Sequence, residues 1–302
     1  MPRRTTAPPP RRGSCRPPRS ATSSRSLPVQ INGATELYGI MGNPVRHSLS
    51  PAMHNAAFGA LDLNKVYVPF AVEDVAAAMT GFRAMGVKGV SVTIPHKQAV
   101  IEHLDSIDPV AKKIGAVNTL VINHAKIHGL NTDWLGANRA LAEQIEIKGS
   151  SVLLLGAGGS ARAIGFGLLE AGAAVTIASR TPATGRALAD SLGVNWLPIA
   201  KAPGHQADIL INATSVGMTP KEEQSPIAAT ALADYKVVMD IVYAPLDTKL
   251  LQEAELAGCR TVNGLAMLLY QGVAQFETWT GRAAPVDLMQ KSLLTSLGYT
   301  KE

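Results

Sequence analysis

Two residues able to trade a proton stand out in the first half of the chain. They are Lys97, in Ser91-Val-Thr-Ile-Pro-His-Lys97, and Asp133, in His128-Gly-Leu-Asn-Thr-Asp133. Hydride loss from an alcohol carbon needs a base for the hydroxyl proton, and the reverse reaction needs an acid. A lysine can serve both directions when partial burial favours its neutral form; a carboxylate beside it opposes that shift while orienting the ammonium. Taken singly, a lysine is most often a surface residue, and an Asp or Asn near a strand end is often a turn former. Together the two supply an acid/base pair. No CxxC, HExxH or His-rich zinc spacing accompanies them, so a metal-assisted mechanism is not indicated.

A second polar cluster is His47-Ser48-Leu-Ser50-Pro51. Pro51 suits the first position of a helix, and Ser50 then suits its N-cap. Ser48 has no such structural role. Two hydroxyls two residues apart can face the same way in extended chain, and beside a helix N-terminus they would form a carboxylate pocket. The sequence around Lys97 reads as a strand ending at Ile94 and a helix starting at Pro95. That puts Lys97 in a first helical turn, against the preference set by the helix dipole, and residues placed against local preference point to function. Gly115-Ala-Val-Asn118-Thr119 completes the polar clusters of this half.

The second half carries a nucleotide signature. Gly156-Ala157-Gly158-Gly159-Ser160-Ala161 follows the apolar run Ser151–Leu155 and opens a helical pattern through Ala163, Ile164 and Leu168. This is the G-x-G-x-x-G/A fingerprint in its strand–turn–helix context. Gly156 permits the tight turn, Gly158 lets backbone approach a pyrophosphate, and Ala161 allows close helix–strand contact. The helix N-terminus offers free N–H groups to phosphate. The end of the next strand selects the cofactor. NAD-binding folds place an acid there for the ribose hydroxyl; here the segment reads Ser179-Arg180-Thr181, and no acid lies between Glu170 and Asp190. A guanidinium at that point suits a 2′-phosphate, with Ser179 and Thr181 as further hydroxyl donors, so the cofactor expected is NADP(H). The small residues of Asn212-Ala-Thr214-Ser-Val-Gly217, after a third strand, fit a ligand-facing strand end.

These clusters need elements to hold them. Val66–Val72, Gly89–Ile94 and Val117–Ile122 read as strands in the first half, with a helical pattern over Val75–Met85. Val152–Leu155, Ala174–Ala178, Ile209–Ile211 and Val237–Asp240 form a second strand series. Such alternation predicts an α/β fold of two domains, with parallel sheets and crossover helices. A helix over Trp134–Ile145 connects the halves, and helices over Leu265–Trp279 and Pro285–Leu297 finish the chain. The 302 residues suffice for two cores.

Charge narrows the partners. Residues 1–30 hold seven of the 28 basic residues and no acid, so the remainder carries 21 basic against 23 acidic residues. A near-neutral body argues against nucleic-acid binding. No apolar run approaches the roughly 20 residues of a membrane span. Two distant cysteines, Cys15 and Cys259, suggest a reducing, cytoplasmic setting. The Arg-, Pro- and Ser-rich start shares the composition of an organelle transit peptide. It lacks a clear amphipathic helix, so the plainer expectation is an unstructured extension or a start codon placed too early.

The chain resembles the shikimate dehydrogenase family from Glu36 to Leu297. The motifs, in order, are Gly42-Asn-Pro with His47 to Pro51, Ser91 to Lys97, Gly115 to Thr119, Asn131-Thr-Asp133, Gly156 to Ala161, Ser179-Arg-Thr181, Asn212 to Met218, Asp240-Ile-Val-Tyr243-Ala-Pro245, and Gly264 with Met267-Leu268 and Gln271. The resemblance implies reversible NADPH-dependent reduction of 3-dehydroshikimate to shikimate, with Lys97 as acid/base and Asp133 its partner. It implies that Ser48 and Ser50 hold the substrate carboxylate, while Ser91, Thr93, Asn118, Tyr243 and Gln271 line the rest of the pocket. Gly156 to Ala161, Ser179, Arg180, Thr181, Thr214, Ile241 and Gly264 would hold the cofactor. It further implies a substrate domain of residues 32–133 plus 264–302, to which the C-terminal helices return, and a Rossmann-type domain of residues 134–263, in a monomer or homodimer. The family usually has Asn at the positions of Ser91 and Ser179. A shorter Ser91 implies that one substrate hydroxyl is held through water or not at all. Two other readings exist: a quinate or mixed quinate/shikimate dehydrogenase, and a non-catalytic metabolite sensor on the same fold. The intact Lys97 and Asp133 speak against the sensor.

Overall fold

Two six-stranded sheets organise the chain in the computed structural model, which describes residues 31–299. The extension expected over residues 1–31 lies, apart from Ile31, outside the described residues. The first sheet contains β1 (Glu36–Gly42), β2 (Lys65–Ala71), β3 (Gly89–Val92), β4 (Ser106–Ile107), β5 (Thr119–Asn123) and β6 (Lys126–Leu130), in the order β2-β1-β3-β5-β6-β4. Its helices are α1 (Ser50–Ala60), α2 (Val75–Ala84) and α3 (Pro109–Ile114). After α4 (Asp133–Ala142) comes the second sheet: β7 (Ser151–Leu155), β8 (Ala174–Ser179), β9 (Asn195–Pro198), β10 (Ile209–Asn212), β11 (Val237–Asp240) and β12 (Arg260–Val262). Its crossover segments include α5 (Gly159–Glu170), α6 (Pro182–Leu192) and α7 (Lys249–Leu256); α8 (Gly264–Thr280) and α9 (Val286–Ser296) close the chain.

The second sheet is parallel throughout, in the order β12-β11-β10-β7-β8-β9. Its strands are apolar on both faces, as burial between two helical layers demands. Val152 and Leu154 enter one core, with Ile164 and Leu168 of α5; Leu153 and Leu155 enter the other, with Leu250 of α7. The connections from β7 and β10 leave in opposite directions, which opens a crevice at the carboxyl ends of these two neighbouring strands.

The first sheet departs from the expected parallel pattern. β1 pairs parallel with β2 and β3, but β5 is antiparallel to β3 and to β6. The β5–β6 hairpin turns at His124 and Ala125, both with positive φ, as a two-residue hairpin loop requires. β6 (Lys-Ile-His-Gly-Leu) has too little apolar alternation to announce itself. Its register nevertheless matters, because Thr119 lies opposite both Ser91 and Leu130. The antiparallel strands thereby bring the Asn118 and Asn131 segments together.

Both faces of β1 are covered. Met41 joins Val90, Val92 and Leu120 against Met79 and Phe82 of α2. Tyr38 and Ile40 face Met53 and Phe58 of α1, with Phe276 of α8 and Leu293 of α9. Full burial of such side chains contributes about 1.5–3 kcal/mol each. The C-terminal helices are therefore bound to the first sheet, while Met267 near the start of α8 reaches the core of the second. No helix among the described residues is long and apolar enough to cross a membrane.

Two local expectations are corrected. Ser50 is the first residue of α1, not its N-cap; Leu49 occupies that position and no side chain caps the helix. The Ser50 hydroxyl is thus not consumed by capping. The chain also leaves β3 at Val92 and turns through Ile94–Gln98 before a 3₁₀ helix at Ala99–His103. Lys97 sits in that turn, not in a first helical turn, so the dipole argument does not apply to it. The turn is held by two bonds: the buried His96 ring donates from Nε2 to the Val72 carbonyl at 2.8 Å, and Val117 N donates to the Lys97 carbonyl at 2.7 Å.

Candidate active site

The pinned turn aims the Lys97 amine at Asp133. Nζ donates to Asp133 Oδ2 at 2.6 Å and to Ser160 Oγ at 3.2 Å. Only 12% of the lysine side chain and 5% of the aspartate side chain are exposed. Asp133 opens α4, where the helix dipole favours an anion. Its backbone N–H donates to Asn131 Oδ1, and Asn131 Nδ2 in turn donates to the Ala116 carbonyl. Ser160 belongs to the first turn of α5 in the other half. The ion pair therefore stands where the two halves meet, and one ammonium hydrogen remains uncommitted.

Asn118 links this pair to a larger network. Its Nδ2 donates to Asp133 Oδ1 at 2.7 Å and to Thr132 Oγ1 at 3.0 Å; its Oδ1 accepts from Thr132 N at 2.8 Å and from Thr119 Oγ1 at 2.7 Å. Donors on one side and an acceptor-only carboxylate on the other fix the sense of the amide. Gln271 adds a long contact, its Oε1 accepting from Asn118 at 3.4 Å, while its Nε2 donates to the Leu268 carbonyl. α4 and α8 can bring these groups so near because of Gly136. A Cβ there would lie 2.8 Å from Gln271 N and from the Met267 carbonyl oxygen.

Ser91 is placed differently from a free substrate ligand. Its hydroxyl accepts from Tyr67 OH at 2.6 Å and donates to Gln275 Oε1 at 2.8 Å, so its only hydrogen is spent inside the protein. The Ser50 hydroxyl lies beside the same Tyr67 OH, and burial pushes the phenol pKa upward. Ser48 accepts weakly from Ser50 N at 3.3 Å. The Thr93 and Tyr243 hydroxyls enter none of the side-chain hydrogen bonds found among the described residues, and burial raises the Tyr243 pKa. These two hydroxyls remain available to a ligand.

The crevice of the second sheet fits a dinucleotide. Gly156 has φ +116°, and a Cβ there would lie 2.8 Å from the Ala213 carbonyl oxygen. Nothing stands within 4 Å of a Cβ on Gly158, which leaves room for backbone–phosphate approach. The N-terminus of α5 has no side-chain cap, with Gly158 as N-cap, Gly159 to Ala161 in its first turn and Ala157 between the glycines. Thr214 closes the floor: its methyl faces Gly156, and its hydroxyl donates to Asn212 Oδ1 at 2.7 Å. Gly264 packs against the Ile241 carbonyl with no space for a side chain. Arg180 is exposed at the end of β8 and forms no ion pair among the described residues. Thr181 beside it is the N-cap of α6 and leaves that helix without a side-chain cap. Ser179 is the exception. It is buried, its hydroxyl donates to the Thr181 carbonyl at 3.0 Å and accepts from Trp196 Nε1 at 3.0 Å, so the expected extra donor is absent.

Sequence reasoning missed Tyr67, Gln275, Thr132 and the supporting roles of His96 and Asn131. Gln275 had one visible signal: it follows Gln271 by four residues and so shares its helix face. Buried Asp240, holding Asn212, Val242 N and Thr248, was also overlooked as the brace of the Asn212 loop.

Comparison with known proteins gives the family. The family model for the shikimate dehydrogenase substrate binding domain matches residues 40–120. That for shikimate / quinate 5-dehydrogenase matches residues 138–247, and that for the shikimate 5′-dehydrogenase C-terminal domain matches residues 264–294. The chain is 49% identical over 275 residues to the shikimate dehydrogenase (NADP(+)) of Methanothermobacter thermautotrophicus, covering 87% of this chain and 97% of that one. A crystal structure of a shikimate dehydrogenase in complex with NADP+ superposes with a TM-score of 0.85 at 40% identity, covering 91% of this chain and 99% of that one. The Thermus thermophilus enzyme, solved with NADP(H) and shikimate, gives 0.80 at 37% identity, covering 87% of this chain and 100% of that one. The chain therefore belongs to the shikimate dehydrogenase family of NADP-dependent oxidoreductases.

Proposed function

We propose that the chain interconverts 3-dehydroshikimate and shikimate, with Lys97 as the acid/base and Asp133 as its partner. The observation that carries this reading is the buried Lys97–Asp133 pair, 2.6 Å apart, joined to the first turn of the glycine-turn helix through Ser160. A buried ion pair adds little net stability, because desolvation offsets its attraction. Its place where the two halves meet, with one ammonium hydrogen uncommitted, fits chemistry better than scaffolding. Residues 32–133 and 264–302 would form the substrate-binding unit and residues 134–263 the cofactor-binding unit.

Bound NADPH supplies the hydride in the reducing direction. Arg180 and Thr181 would hold the 2′-phosphate, Gly156 to Ala161 the pyrophosphate, and Thr214, Ile241 and Gly264 the walls of the crevice. Ser48 and Ser50 would hold the substrate carboxylate at α1, with Thr93 and Tyr243 donating to the substrate as well. Gln271, whose amide keeps one hydrogen beyond the Leu268 carbonyl, would meet a ring hydroxyl near Asp133, with Asn118 lining that side of the pocket and holding the carboxylate. The free hydrogen of Lys97 would point at the reacting oxygen. During reduction Lys97 gives that oxygen its proton, and Asp133 keeps the amine in place throughout. During oxidation the neutral amine takes the proton back.

Following NADPH absorbance with purified protein tests the reading. Shikimate with NADP+ should turn over well, and quinate or NAD+ poorly. Absence of turnover with shikimate and NADP+ would refute the assignment, and a preference for quinate would move it to that substrate.

A further inference from the structure

The network around Ser91 runs on past the groups assigned above and ends on one amide. Gln275 in α8 is 1% exposed. Its Oε1 accepts from Ser91, and its Nε2 donates to the Asn118 carbonyl at 3.1 Å and to Thr119 Oγ1 at 2.9 Å. Because Thr119 Oγ1 accepts there, its own hydrogen is free to go to Asn118 Oδ1. Asn118 then holds Asp133 Oδ1, whose other oxygen holds Lys97. The senses of the two amides on this line are fixed by acceptor-only partners, the Asn118 carbonyl for Gln275 and the Asp133 carboxylate for Asn118. Removing Gln275 would leave the buried Ser91 hydroxyl without its acceptor and take one donor from Thr119 Oγ1 and one from the Asn118 carbonyl, which keeps only Val92 N, at the residue that aims Asp133.

We propose that Gln275 is a positioning residue for proton transfer, clamping Asn118 and Thr119 to Ser91 so that Asp133 holds Lys97 against the substrate. The proposal rests on the reading of Lys97 and Asp133 as the reacting pair. Gln275 touches neither substrate nor cofactor in this scheme; it acts through Thr119 and Asn118. It also gives Ser91 a structural part. Its hydroxyl, accepting from Tyr67, donates to Gln275 Oε1 and so completes the clamp.

Two substitutions separate positioning from plain support. Gln275→Leu removes both bonds to the Asn118 segment. Gln275→Glu keeps the shape and the acceptor toward Ser91. An ionised Glu cannot donate to the Asn118 carbonyl, but a protonated one can, so it restores the native pattern at low pH. The titratable groups facing this site are His54 of α1 and Tyr67 of β2, with Asp133 of α4 beyond Asn118. Burial keeps His54 neutral and Tyr67 protonated between pH 6 and 9. Steady-state kinetics on folded, full-length protein should show kcat for Gln275→Leu lowered about tenfold or more, the loss worth about one buried hydrogen bond. NADP+ affinity should be unchanged. For Gln275→Glu, the ratio of its kcat to that of the native enzyme should rise as pH falls from 9 to 6. Thr119→Val should lower kcat in the same direction, and combining it with Gln275→Leu should cost less than the two separate losses together. A kcat within twofold of native for both Gln275 variants, or a flat pH ratio for Gln275→Glu, overturns the proposal. Lys97→Ala in the same assay reports separately on the reading beneath it: native turnover there would remove that reading whatever Gln275 does.

Discussion

Acid should unfold this protein partly through His54. The imidazole is fully buried in α1, stacked on Tyr67 at a ring separation of 4.5 Å and near Phe58, Phe276 and Trp279. Neither ring nitrogen has a hydrogen-bond partner. Burial pulls the His54 pKa from 6.5 down to about 3, and the Gln275 side chain offsets only part of that, close by but without hydrogen-bond geometry. The sign follows from linkage. Below pH 6.5 the unfolded chain takes a proton at this position, while the folded protein does not until about pH 3. Stability is therefore complete above pH 6.5 and is lost as the pH falls. The slope approaches about 1.4 kcal/mol per pH unit, and the whole window is worth on the order of 5 kcal/mol. That is a large share of the roughly 5–15 kcal/mol of an ordinary domain. The perturbation is His54→Phe, which keeps a ring in the aromatic cage and removes the titrating nitrogens. Urea unfolding followed by circular dichroism between pH 7.5 and 4.5 gives both stabilities. The shifted carboxylates elsewhere, Asp105, Asp208 and Asp240, are shared by the two proteins and drop out of the difference. The native protein should lose stability relative to His54→Phe by about 1 kcal/mol or more for each pH unit below 6. Parallel pH curves for the two proteins would refute the reasoning.

Two further outcomes follow from single side chains. Arg180→Ser should raise the KM for NADP+ by about 10–100-fold, the worth of charge-assisted bonds to one phosphate, while NAD+ is used no worse; equal losses with both cofactors would count against a 2′-phosphate role. Burial raises the Asp240 pKa from 3.8 to about 6 despite bonds from Val242, Thr248 and Asn212. Its contribution to stability is full below pH 3.8 and is lost as pH rises through about 6, by about 3 kcal/mol in all. Asp240→Asn should therefore flatten that part of the pH–stability curve, and an unchanged curve would show that Asp240 is not the group responsible.

What the sequence disclosed and what it withheld divides along a physical line. The Gly156 to Ala161 turn and Arg180 are local features: a glycine that needs positive φ, a missing acid, a strand followed by a helix. Each can be read from a few adjacent residues, and the structure places them at one crevice. Lys97 and Asp133 were identifiable by residue type, but the position of Lys97 in a helical turn was misread, because His96 and Val117 pin that segment through contacts distant in sequence. Ser50 was misread as a cap for a similar reason. β6 and the antiparallel register escaped notice because Lys126–Leu130 has little apolar alternation. With it went the pairing of Asn118 with Thr132, and the reach of Gln275 to Asn118, 157 residues earlier. The Ser179 hydroxyl is taken up by Trp196 and the Thr181 carbonyl, and the contact with Trp196, 17 residues on, is invisible in the local sequence.

Proton transfer in this enzyme turns on the amine of Lys97. Lys97→Ala should bind shikimate by calorimetry at near-native affinity yet reduce NADP+ at least about a thousandfold more slowly at pH 8, as expected when the group that takes the proton is lost along with its orientation. A Lys97→Ala protein that binds shikimate and turns over at the native rate would contradict it.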